Sequence, residues 1–361
     1  MSNGKYQIKS VKTWVEDLQL TRPYTIAYKT VDAVENAFVQ IETGAGITGI
    51  GAASPGPYVT GETFEMCQNA LQQHAEALLL GKDIREYVNI SRTQIEQLPK
   101  TPGARAAVDI ALFDALAQHF DLPLAKFLGQ SHREIPTSIT IGIKPNIYET
   151  LAEADEYLGR GFRIIKLKIG INVDQDIETT SKLFELVGKK MKIRVDANQG
   201  YSPAQLTKYY NATKNLGLDL IEQPVPKEKP ELMQEVDAAV RAVCAADESI
   251  QSPGDALKLA AQPQPFGIYN IKLMKCGGVY PAMQIAEIAR LAVISLMWGC
   301  MDESIVSISA ALHTAFASPA TKYLDLDGSL DLARDIVSGG FTIKDGMMSI
   351  SDKPGLGVQR L

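Results

Sequence analysis

Residues 5 to 53 alternate apolar and polar side chains through YQIKSVKTWVED, NAFVQIET and GITGIGAAS. Period-two alternation sets one face of each segment on a core and the other in water, which predicts antiparallel strands and hairpins, with one turn at Thr43–Gly46. The period then lengthens. Residues 62–79 and 103–120 carry helical spacing, and in the second Ala104, Ala107, Val108, Ala111, Leu112 and Ala115 recur at three- and four-residue intervals as a small-residue packing face. Strands followed by helices predict an α+β unit, ended by Leu122-Pro123-Leu124 and Gly129.

From about residue 137 strand and helix alternate. Strand candidates are SITIGI (138–143), RIIKLKI (163–169), KIRVDA (192–197), LDLIEQ (218–223), AVCAAD (242–247), GIYNIKLM (267–274), AVISLMWG (292–299) and KYLDLD (322–327). Eight strands with amphipathic helices between most of them predict a closed parallel β/α barrel, with an open doubly wound sheet as the runner-up. The tail GFTIKDGMMSISDKPGLGV returns to short strands and turns. The expected organisation is a capping domain over 1–125, a barrel over 126–330, and a segment over 331–361 packing back on the first domain.

Composition excludes several classes. Hydrophobic residues at 45% and charged residues at 22% are ordinary for a folded globular chain. A net charge of -6 and a pI near 5.4 argue against nucleic acid as a partner. Cys67, Cys244, Cys276 and Cys300 lie far apart without a C-x-x-C pair, so neither a disulfide frame nor a zinc site is expected. No export signal or membrane-length apolar run is visible, and the cytoplasm is the expected location.

Ionisable residues recur near the strand ends. Lys168, Asp196, Glu222, Asp247 and Lys272 follow one another at steps of 28, 26, 25 and 25 residues, each about one strand, one helix and two loops. A β/α barrel delivers catalytic side chains to its carboxyl rim in this way, one per strand. Three carboxylates converging from neighbouring strands repel unless a hard divalent cation neutralises them, and oxygen ligands without His or Cys suit Mg²⁺. A single acid after a strand is often only a helix cap, but three in succession are not explained that way. Lys166 and Lys168 point to the same side of an otherwise apolar strand. Like charge and a nearby metal would lower a lysine's pKa toward working pH, making a base for carbon acids. Lys272 lies four strands onward, roughly across the barrel; Lys275 is the weaker candidate.

Gly44, Gly46 and Gly49 spell G-x-G-x-x-G, but the motif runs into another strand, so a hairpin turn explains it better than a dinucleotide site. On the last strand Asp325 and Asp327 alternate in KYLDLDG and would suit an ammonium group.

K-x-K, D-A-N-Q, E-Q-P, D-E-S and K-L-M-K-C-G-G together resemble the muconate lactonizing subgroup of the enolase superfamily, and the resemblance covers nearly the whole chain. It implies a (β/α)7β modified TIM barrel with an α+β capping domain. It also implies Mg²⁺ on Asp196, Glu222 and Asp247, Lys168 and Lys272 as an acid/base pair, Lys166 tuning Lys168, and Asn198 and Gln223 as supports. The chemistry implied is proton transfer at a carbon beside a metal-held carboxylate, through an ene-diolate. The D-x-D of Asp325 and Asp327 is similar to that of the dipeptide epimerases, where it holds the substrate's α-ammonium. An isomerase inverting the second residue of an Ala-Xaa dipeptide is therefore expected, with Xaa acidic or hydrophobic. Lys29 and Tyr58, on loops of the capping domain, and Thr140, on the first barrel strand, are expected to touch the dipeptide. A homo-oligomer is the expected assembly. The rivals are another K-x-K enzyme (muconate cycloisomerase, o-succinylbenzoate synthase or N-acylamino acid racemase) and a metal-dependent peptide-binding protein without turnover.

Overall fold

The computed structural model describes the backbone of residues 3–21, 24–26, 29–31 and 33–361, with side-chain placement for 4–21 and 33–361. Strand Ile8–Asp17 pairs antiparallel with Glu35–Thr43, which pairs antiparallel with Thr48–Ala53. The hairpin between the last two closes through Thr43 N–H to Ile47 C=O at 2.9 Å, with Gly46 at φ 76°, so the glycine motif is a turn. Helices Phe64–Leu79, Tyr87–Gln97 and Pro102–His119 follow. The second of these is absent from the sequence reading, because YVNISRTQIEQ lacks a continuous apolar stripe.

Helix Pro102–His119 is the spine of this unit. Its alanine face lies on strand Thr48–Ala53 so closely that a Cβ at Gly49 would stand 2.1 Å from the Ala111 carbonyl oxygen, and one at Gly51 1.9 Å from that of Ala107. Small residues on both partners are what allow the approach. From the same helix Asp114 accepts Ile50 N–H at 3.0 Å and Leu356 N–H at 2.9 Å, tying hairpin and tail together.

Eight parallel strands form the second unit: Ile139–Ile141, Ile164–Lys168, Lys192–Asp196, Ile221–Glu222, Cys244–Ala246, Ile268–Ile271, Ser295–Gly299 and Thr321–Asp325. They pair in sequence order, and the ring closes where Thr137 bridges Leu324 in parallel and Ser138 N–H reaches Leu324 C=O at 3.1 Å. No helix follows the eighth strand among the described residues, which gives the (β/α)7β pattern. Leu220, Ala245, Ile268, Met297 and Tyr323 form a buried cluster on these strands. Beside them the buried Arg194 guanidinium lies 5.0 Å from the Tyr323 ring centroid and donates to Leu324 C=O at 2.6 Å. Asp196, two residues further along the same face, is thereby carried toward the carboxyl rim. Strand Val337–Gly339 pairs with Val358–Arg360, and Phe341–Lys344 with Met347–Ile350, which also pairs with Glu134–Pro136. No helix of the described residues is long and apolar enough to cross a membrane.

Candidate active site

Parallel register sets the rim. Lys168 stands beside Asp196, and Asp196 beside Glu222, on consecutive strands, while Asp247 and Lys272 each follow their strand directly. All but Lys168 are buried. Each carboxylate has a different nitrogen partner. Asp196 Oδ2 accepts from Lys168 Nζ at 2.6 Å, and Glu222 Oε1 from Asn270 Nδ2 at 2.6 Å. Asp247 accepts from Lys272 Nζ at 2.7 Å and from Lys275 Nζ. Lys275, buried in the short helical turn Leu273–Cys276, is thus part of the site, although the sequence marked it as the weaker candidate.

Among the described residues no three acids, histidines or cysteines stand close enough to hold a metal as they are. The donor set nonetheless suits a hard cation. Glu222 Oε2 is buried with no hydrogen-bond partner, although Lys166 Nζ stands 3.7 Å away. Burial, then repulsion from Asp196 and Asp247, pushes the Glu222 carboxyl up against the pull of Lys166 and Lys272. An oxygen-only set that repels itself is what a hard divalent ion relieves.

Among the protein groups alone, carboxylates hold two of the rim lysines, Lys166 and Lys272, in the ammonium form. Burial alone lowers Lys166, but Asp325, Glu222 and Asp196 outweigh it and hold the ammonium well above its ordinary range. Lys272 is likewise raised against burial, chiefly by Asp247 and Glu222. The sequence shows the neighbouring lysine and not the carboxylates that face it across the barrel.

Lys166 also meets the eighth strand. Its Nζ bonds Asp325 Oδ2, and Asp325 Oδ1 accepts from Ser138 Oγ at 2.6 Å. Burial raises the Asp325 carboxyl, yet Lys166 and Ser138 bring it below its ordinary value. Asp327 is differently placed: Oδ2 accepts Thr140 N–H at 2.7 Å, and burial followed by Asp325 repulsion pushes its pKa up to about 6. Gln223 Oε1 accepts from Asp247 N–H at 2.8 Å and Ser249 N–H at 3.2 Å. Asn198 Nδ2 reaches Glu248 Oε1 at 3.5 Å, and its N–H donates to Asp196 Oδ1 at 2.9 Å.

A cavity of about 360 Å³ opens over these groups, with Lys166, Lys168, Lys272, Asp325, Asp327, Thr140 and Asn198 in its wall. The short helix Pro57–Thr60, which carries Tyr58 where a loop was expected, forms one side. This segment is fastened by Gln251 Nε2 to Val59 C=O at 2.9 Å and by Glu62, which accepts Gly103 N–H at 2.6 Å. The Lys29 side chain lies outside the described residues. The remaining wall is acidic in a way that sequence reading missed: Glu153, Glu156, Asp302, Asp331 and Glu248 all line it. Lys144 lines it too, but is paired with Glu153 at 2.6 Å. Of these, the helical pair Glu153 and Glu156, three residues apart, carried a periodic signal in the sequence; the others sit on loops.

Family models match in tandem: a mandelate racemase/muconate lactonizing enzyme N-terminal domain over residues 9–129 and an enolase C-terminal domain-like region over 149–360. The L-Lys-D/L-Arg epimerase of Desulforapulum autotrophicum is 55% identical, covering 98% of this chain and 100% of the relative. A dipeptide epimerase from Methylococcus capsulatus, solved in complex with Mg and L-Arg-D-Lys, superposes with a TM-score of 0.95 at 48% identity, over 98% of this chain and 99% of that one. The substrate-liganded L-Ala-D/L-Glu epimerase from Bacillus subtilis gives a TM-score of 0.92 at 32% identity, over 98% of each chain. With both halves of its fold matched and its rim carrying paired lysines and three carboxylates, this chain belongs to the mandelate racemase/muconate lactonizing enzyme family of the enolase superfamily, among its dipeptide epimerases.

Proposed function

We propose that the chain is a Mg²⁺-dependent epimerase of dipeptides with cationic side chains, transferring a proton at the α-carbon of the C-terminal residue. The observation that carries the substrate class is the acidic wall formed by Glu153, Glu156, Asp302 and Asp331 above the lysines. An acidic second residue would face like charges there. Cationic side chains fit, in line with the Desulforapulum autotrophicum and Methylococcus capsulatus relatives, and replace the acidic or hydrophobic Xaa expected from the sequence.

In this reading Asp327 receives the α-ammonium, while Asp325, already held by Lys166 and Ser138, fixes the strand and the Lys166 amine. Thr140 N–H orients Asp327, and Tyr58 shapes the cavity mouth. Asp196, Glu222 and Asp247 are the cation ligands, with Gln223 and Asn198 holding Asp247 and Asp196. A bound Mg²⁺ would hold the substrate carboxylate, acidify its α-carbon and weaken the carboxylates' grip on the amines. Lys168 and Lys272, on the second strand and after the sixth, then act on opposite faces of that carbon, one removing the proton and the other returning one.

The test is a dipeptide library in D₂O with Mg²⁺, read by mass gain at the α-carbon. Lys- and Arg-containing dipeptides should exchange fastest. A preference for Ala-Glu, or exchange confined to N-acylated amino acids, would overturn the reading.

A further inference from the structure

Lys272 opens a tight turn, Leu273–Cys276, whose far end is gripped by the capping domain. The Lys272 carbonyl accepts Lys275 N–H at 3.0 Å and Cys276 N–H at 3.3 Å, and the Leu273 carbonyl accepts Gly277 N–H at 2.9 Å and Gly278 N–H at 3.0 Å. Helix Val279–Leu291 begins immediately and has no side-chain cap from its own N-cap residue, Gly278. Its cap comes from 170 residues away: Asp109 Oδ1, on helix Pro102–His119, accepts Val279 N–H at 2.5 Å and Tyr280 N–H at 3.2 Å.

Two glycines make the contact possible. Gly277 and Gly278 have φ of 95° and 117°, and a Cβ at Gly278 would lie 2.4 Å from Asp109 Oδ1. One at Gly277 would lie 3.0 Å from Arg105 Nε. A second tie runs from Ser54 N–H to Met274 Sδ at 3.3 Å. Asp109 is 1% exposed, and its Oδ2 has no hydrogen-bond partner.

We infer that Asp109 is a positioning residue for Lys272. Resting on the reaction proposed above, this assigns the capping helix a part in one half of the proton transfer and not the other. Lys168 stands on the second strand, held by Asp196, whereas the hydrogen bonds of Asp109 among the described residues go to Val279 and Tyr280. Loss of the cap should therefore displace one base and spare its opposite number, and a displacement of about 1 Å costs on the order of a hundredfold in rate.

The experiment follows α-hydrogen exchange and inversion separately, by NMR in D₂O with saturating Mg²⁺, for L-Lys-L-Arg and L-Lys-D-Arg. The wild type should exchange and invert both. Asp109→Ala should slow exchange at least tenfold for the epimer whose hydrogen faces Lys272. The other epimer should keep exchanging while its inversion falls, so its exchange-to-inversion ratio rises at least tenfold. Asp109→Asn keeps an acceptor oxygen for both amides and should return the ratio to near the wild-type value. Burial pushes the Asp109 carboxyl up to about 7, consistent with an uncharged acceptor serving there. If Asp109→Ala does not fold, Gly278→Ala perturbs the same contact from the turn and should raise the same ratio. An equal fall in exchange and inversion for both epimers, or no change, overturns the assignment. Absence of exchange by the wild type with every dipeptide removes the underlying reaction instead, and this inference with it.

Discussion

Lys166 joins the two motifs that the sequence keeps 159 residues apart: its Nζ bonds Asp325 Oδ2 and stands 3.7 Å from Glu222 Oε2. The first lysine of K-x-K is therefore a strut between the eighth strand and the carboxylate triad. Lys166→Met removes the ammonium bonded to the buried Asp325 carboxylate, and removing one partner of a buried pair costs about 3–5 kcal/mol. Chemical denaturation should show a loss of that order, and Lys166→Met/Asp325→Leu should recover part of it. An unchanged midpoint for the single variant would show the strut to be unimportant.

Asp327 should set the acid limb of activity. Its carboxyl is pushed up to about 6, so it is charged at neutral pH and loses that charge as pH falls through about 6. A neutral Asp327 no longer attracts an ammonium, so KM should rise about tenfold per pH unit below that value. Asp327→Asn should raise KM at neutral pH and abolish this limb; a limb that persists in the variant assigns it to another group.

Charge at the rim should govern selectivity. Glu153→Gln/Glu156→Gln removes two partly exposed charges, each worth about 0.2–1 kcal/mol toward a cation. The ratio of kcat/KM for Lys-Arg over Ala-Ala should fall by about twofold to thirtyfold, with thermal stability little altered. Equal losses on both substrates would place these residues in folding instead of recognition.

Divalent cations should stabilise as well as activate. Chelation should abolish α-exchange, and Mg²⁺ at about 100 times its Kd should add about 2.7 kcal/mol to the unfolding free energy. Glu222→Gln should weaken Mg²⁺ binding at least tenfold by calorimetry. Full affinity in that variant would remove Glu222 from the ligand set.

Much of this was legible in the chain because a barrel repeats one strand per lysine or acid, and alternation fixes which side of a strand each faces. The strand-end carboxylates, Lys168 and Lys272 needed nothing further. Pairings between distant parts of the chain did not announce themselves. Asp325 with Lys166, Asp327 with the Thr140 amide and Asp109 with the start of helix Val279–Leu291 join residues 159 to 187 positions apart. The fourth strand, Ile221–Glu222, is only two residues long, and flanking strands in register define it more than its own pattern does. Substrate class was the least visible, because the acids lining the cavity come from a helix and three loops, and only folding makes them neighbours.

Helix Pro102–His119 has bare backbone against it on two sides, from Gly49 and Gly51 in the hairpin and from Gly277 and Gly278 beside Lys272. The same helix thus locks the hairpin of the cap on one side and the turn after Lys272 on the other. The segments at the cavity mouth, which carry Tyr58, Asp302 and Asp331, lie apart from those glycine contacts in the chain. Those same segments can be rewritten for new side chains while the proton-transfer machinery beneath stays as it is.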